Sequence, residues 1–137
     1  MAELTHPIQE AERYLQNART ILSEKAEKVG SYYNDSKYVK LAGHAAWCGV
    51  LIALDAALNL KVNLKRGQRI DIKDYQEAIG KKDSKMTKPL KNAYDLLHKS
   101  LSYDGITNYA VVQNSLNEAK YIINWAGKNY KPARADL

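Results

Sequence analysis

Apolar residues recur at steps of three and four over most of this chain, the spacing that lays one stripe along a helix. Ile8, Ala11, Leu15, Ala18, Leu22, Ala26 and Val29 form the first such seam. It predicts a helix over about residues 7–29, capped by Thr5 or His6, with Pro7 in its first turn and Gly30 just past its end. The stretch LAGHAAWCGVLIALDAAL at 41–58 differs, being apolar on nearly every side with only His44 and Asp55 readily charged. A helix of that kind has to be surrounded. It predicts a central helix over about 36–60, capped by Asp35 or Ser36, around which the one-sided helices pack.

Two further seams follow. Met86, Leu90, Ala93, Leu97 and Leu101 predict a helix over about 85–102. Tyr109, Val112, Leu116, Ala119, Ile123 and Ala126, widened by Ile122 and Trp125, predict another over about 108–128, capped by Thr107 and stopped by Gly127 and Pro132. Between the second and third helices Asp71 looks like a cap, Ile70 and Tyr75 fall at the positions of a hydrophobic staple, and Gly80 follows Ile79. That predicts a short surface helix over about 72–79. Short turns at 30–35 and 103–107 make consecutive helices antiparallel. The expected fold is all-α, an antiparallel up-and-down four-helix bundle in one domain, 1–137, with no strand.

Small residues, Ala42, Ala45, Ala46, Gly49, Ala53, Ala56 and Ala57, recur on one side of the central helix. Gly inside a helix costs about 1 kcal/mol against Ala. Close approach of a neighbouring backbone is the expected compensation at Gly49.

Composition sharpens this picture in three places. A run of about 18 apolar residues opens the question of a membrane span, but this one is rich in Ala and Gly, and Asp55 would cost roughly 2.5–3.5 kcal/mol inside a bilayer. A core helix, and no membrane, is the expectation. Cys48 is the single cysteine, so no internal disulfide forms. The opening residues lack the pattern of a secretory signal, and the expected compartment is the cytosol. The net charge of +6 lies wholly between Lys61 and Lys91, where ten basic residues face four acidic ones. Lys61, Lys65, Arg66, Arg69 and Lys73 are the candidate patch for an anion or nucleic acid. A solvated surface is the favoured reading of it, because base-stacking sites pair charge with exposed rings.

Candidate chemistry is sparse. His44, Cys48 and Asp55 share one face of the central helix, with His44 and Asp55 eleven residues and ~16 Å apart along the axis, too far to act as a dyad. The stripe either lines a pocket or is satisfied by neighbours and water. Three histidines, at 6, 44 and 98, show no HxxxH or ExxH spacing, so neither a metal site nor a cofactor is expected. Tyrosine is the unusual residue, with ten copies against no Phe. Tyr32, Tyr33 and Tyr38 fall near one turn and Tyr103 and Tyr109 flank the other, at the same end of an up-and-down bundle. Rings with a polar tip suit interfaces and ligand clefts as well as the rim of a core.

The segments AERYLQNARTIL, YVKLAGHAAWCGVLIALDAAL and LLHKSLSYDGITNYAVVQNSLNEAKYIINW together resemble the HEPN class of small bacterial four-helix domains, and equally a bacterial helical family without assigned function. In ribonuclease members of that class an Arg is followed four to six residues later by His near the last helix pair. Here His98 stands in place of the Arg and Tyr103 in place of the His. The resemblance therefore implies the bundle, a tendency to dimerise, and a nucleotidyltransferase-like or nucleic-acid partner, without that catalysis. The reading that results is a non-catalytic interaction module, a homodimer or the partner of another protein. Two alternatives are nucleic-acid binding through the basic connection and a ligand binder or enzyme built on His44, Cys48 and Asp55.

Overall fold

The computed structural model describes residues 6–60 and 70–131. Helix α1 spans Pro7–Lys25, with His6 Nδ1 accepting from the Ile8 amide at 3.2 Å. It buries Ile8, Ala11, Leu15, Ala18 and Leu22 as their spacing requires. It stops one turn earlier than its seam suggests. Glu27 takes a left-handed backbone with φ 58°, Gly30 follows at φ 62°, and the chain forms a small antiparallel hairpin, β1 (Lys28–Val29) against β2 (Tyr32–Tyr33). Val29 is thus 60% exposed rather than a core residue, and the expectation of no strand is corrected.

Helix α2 spans Ser36–Leu58, opened by Asp35, whose carboxylate accepts from the Lys37 amide, and closed by Asn59 in the left-handed region at φ 54°. By length and composition it is apolar enough to cross a membrane, yet half of its most apolar window is buried inside the molecule. Its apolarity is matched by neighbours on three sides, α1, the last helix and the π-helical stretch described below.

Helix α3, Ile72–Lys82, begins with a reciprocal capping box in which Asp71 and Asp74 each accept from the other's amide. It runs through Gly80, where the sequence suggests a stop, and ends at Asp83. That residue caps the following 3-10 turn, Ser84–Met86, and its other oxygen accepts from Trp125 Nε1 at 3.0 Å. Helix α4, Thr87–Ala93, then continues as a π-helix over Tyr94–Tyr103. Helix α5, Tyr109–Asn129, is capped by Asn108 rather than Thr107, through a bond from the Val111 amide.

The pairings are antiparallel. Along α1 and α2 the Asp35 amide meets the Ala26 carbonyl at the turn, while Gly49 lies against Ala11 further down. Along α2 and the π stretch, Ser36 meets Gly105, Gly43 meets Leu101, and Trp47 meets Tyr94. Helix α5 runs against α1, with Lys28, just past the end of α1, beside Tyr109 and with Ile8 of α1 beside Gly127. One buried cluster joins all of these elements, with Leu54, Ile79, Leu97 and Leu116 among its fully enclosed members.

Candidate functional site

The hairpin and the 103–109 loop build one end of the molecule. Tyr33 donates its amide to the Thr107 carbonyl, Tyr109 donates to Ser31, and Ser36 Oγ donates to the Gly105 carbonyl, all at 2.9 Å. Gly105, at φ 65°, makes the last contact possible, because a β-carbon there would collide with Ser36 Oγ. Strand alternation then sorts the tyrosines. Tyr33 points inward and is 5% exposed, while Tyr32 points outward and is 55% exposed.

Val29, Tyr32, Leu41, Tyr103 and Ile106 all lie in this end, within 29–41 and 103–106, and among the described residues only Tyr121 is an exposed large apolar side chain elsewhere. Glu27, Lys28, Lys37, Lys40 and Asp104 belong to the same segments, so both signs of charge occur at this end.

On the inner side a cavity of about 380 Å³ opens between the last turns of α1, the hairpin and the start of α5. Leu22 and Leu116 form its apolar lining, Tyr33 and Tyr109 its aromatic walls, with ring centroids 5.5 Å apart and planes 39° from parallel. Arg19 reaches it from α1, and Lys28 reaches it with its ammonium 4.6 Å from the Tyr109 ring centre. The Tyr33 hydroxyl accepts from Gln113 Nε2 at 2.9 Å. Burial pushes its pKa up, against the opposing effect of that bond, so Tyr33 remains a phenol at neutral pH.

The five tyrosines that the sequence brings to one end divide among several contacts. Tyr33 and Tyr109 meet in the cavity, and Tyr32 forms a backbone bridge with Asn108 beside them. Tyr103 stands outward, its ring edge toward His98 at 6.4 Å. Tyr38 pairs instead with its own neighbour Lys37, whose ammonium lies 4.7 Å from its ring centre.

The stripe on α2 separates too. His44 is exposed and its Nε2 lies 3.6 Å from Cys48 Sγ, but Asp55 is three turns away and accepts from the Tyr75 hydroxyl at 2.6 Å. Asp55 also borders a second cavity of about 720 Å³ with Asn59, Lys82 and Tyr130. The three residues line no common site. Burial pushes the Cys48 thiol pKa up, leaving little thiolate at neutral pH. Alkylation of Cys48 by iodoacetamide at pH 7.5 is expected to be several-fold slower than that of free cysteine, checked by mass spectrometry over a time course.

Of the basic candidates Lys73 is exposed on α3, while Lys61, Lys65, Arg66 and Arg69 lie outside the described residues. Among the described residues no group of three His, Cys, Asp or Glu gathers to hold a metal ion.

One cluster was not anticipated. His98 stacks on Tyr94 with centroids 5.2 Å apart and lies 6.0 Å from Trp47, and its Nδ1 is buried with no hydrogen-bond partner among the described residues. The i,i+4 spacing of Tyr94 and His98 is the only sequence signal for it.

A family model described as a domain of unknown function, DUF5618, matches residues 6–128. A protein of unknown function from Dyadobacter fermentans has a solved structure similar to this one, with a TM-score of 0.79 and 36% sequence identity over 89% of this chain and 93% of that one. No curated protein matches.

Proposed function

For a chain that belongs to the DUF5618 family, we propose the role of a non-catalytic helical interaction module that pairs with a second copy of itself through the hairpin end. The observation that carries this is the concentration of exposed apolar side chains, with Tyr103 at 75% and Val29 at 60%, on a segment that hydrogen bonds hold in place. A two-fold interface brings the same patch together with itself, so it has to be self-complementary. An apolar centre with Lys28, Lys37 and Lys40 beside Glu27 and Asp104 meets that requirement. The proposal includes an up-and-down four-helix arrangement, a cytosolic setting and the likeness to the HEPN class. Antiparallel pairing of the long helices favours the likeness, and His98 and Tyr103 in the motif positions favour a binding role over a ribonuclease.

Sedimentation of the full chain tests the reading. The expected result is a dimer at micromolar concentration whose Kd rises at least about tenfold, about 1.4 kcal/mol, in the double variant Tyr103→Lys with Ile106→Asp. Both side chains are exposed, so helicity by circular dichroism should be unchanged. A strictly monomeric wild-type chain would overturn the proposal.

A further inference from the structure

We propose that the cavity between α1, the hairpin and α5 is a binding site for a small aromatic anion, a flat ring carrying a carboxylate or a phosphate. Its volume of about 380 Å³ falls within the range of small-molecule sites. Its chemistry divides in two. Tyr33 and Tyr109 present ring faces beside Leu22 and Leu116, the surface on which a planar ligand stacks. Arg19 and Lys28 bring two positive charges to the same space, and no Asp or Glu lines it.

Neither cation forms an ion pair among the described residues. Lys28 rests instead over Tyr109, a contact that holds an ammonium beside the cavity while leaving its charge uncompensated. Arg19 offers the planar fork that binds carboxylate and phosphate through two parallel bonds.

The second observation comes from Tyr33. It is 5% exposed, and its oxygen already accepts from Gln113, so the phenolic hydrogen has to point elsewhere. Among the described residues no acceptor takes it. Tyr33 lines the cavity, where an anionic oxygen would accept from its hydroxyl. Rings, two unpaired cations and one unspent donor are thus satisfied together by one class of ligand. A neutral ring would leave Arg19 and Lys28 unmatched, and an anion without a ring would leave the aromatic walls empty.

Calorimetric titration of the full chain with four probes tests this: benzoate, adenosine monophosphate, benzyl alcohol and inorganic phosphate. The expected result is saturable binding of benzoate, adenosine monophosphate or both, with the neutral ring and the ringless anion at least on the order of tenfold weaker. Benzoate alone assigns a carboxylate ligand, and the nucleotide alone assigns a phosphate. Arg19→Gln and, separately, Tyr109→Leu should each weaken binding on the order of tenfold with circular dichroism unchanged, and Arg19→Lys should recover part of the loss. Failure of both aromatic anions to bind overturns the assignment, as does binding indifferent to Arg19→Gln in a folded variant.

Discussion

Gly43→Ala is expected to destabilise the protein by about 3 kcal/mol, the upper part of the range for overfilled cores. Urea unfolding should show it as a lower midpoint at unchanged slope. A β-carbon on Gly43 would stand 2.5 Å from Leu101 Cβ and 2.8 Å from the Ser102 amide nitrogen. Neither atom is the free end of a flexible chain, so the α2 and π backbones would have to move apart. The control is the same replacement at Gly127, where the nearest atom is Ile8 Cγ2 at 3.4 Å. There the gain in helix propensity, up to about 1 kcal/mol, should prevail and raise stability. Equal effects at the two glycines would remove the close approach of α2 and the π stretch from the account of this fold.

The second large effect concerns the Tyr75 hydroxyl, which donates to the half-buried Asp55 carboxylate at 2.6 Å. Tyr75→Phe keeps the ring and deletes the donor, and should cost about 1.5 kcal/mol, as for hydrogen bonds to charged groups. Asp55 retains another interaction, which keeps the figure at the low end. The same bond sets an alkaline limb. Burial first, and then the bond to Asp55, raise the Tyr75 pKa above its ordinary value of 10.0. Above that pH the unfolded chain releases the proton and the folded one keeps it, so the folded state binds more protons and stability falls as pH rises. Below it the contribution is fully present. Stability measured from pH 9 to 11 should therefore fall less steeply in Tyr75→Phe than in the wild type. Tyr33, also raised, should leave a residual slope. Identical slopes would disprove the coupling.

The helical seams were legible because a period near 3.6 reports one-sided burial directly. Leu15, Leu97 and Ile123 are enclosed as their spacing implies. Gly49 was legible for a related reason, since a costly residue inside a helix implies a compensating contact, and its β-carbon would stand 2.8 Å from the Ala11 carbonyl oxygen. Gly43 was not singled out, because nothing in an Ala- and Gly-rich run says which small residue meets a backbone. The hairpin escaped because two-residue strands are too short to alternate, and Val29 happened to continue the helical step. The π stretch escaped because Leu97 and Leu101 fit either helix. Proximity along the chain gathered the right tyrosines near one end, but only the paired strand decides that Tyr33 enters the cavity and Tyr32 leaves it.

His6 and Tyr130 meet edge to face, with ring centroids 5.1 Å apart, so the described chain starts and finishes at the same place. The residues that flank α1 and α5 thus tie those two helices together at this end of the molecule. A short bridge across this contact would allow the backbone to be cut elsewhere while every helix kept its neighbours. The order in which the helices are written in the sequence is therefore one of several orders compatible with the same architecture.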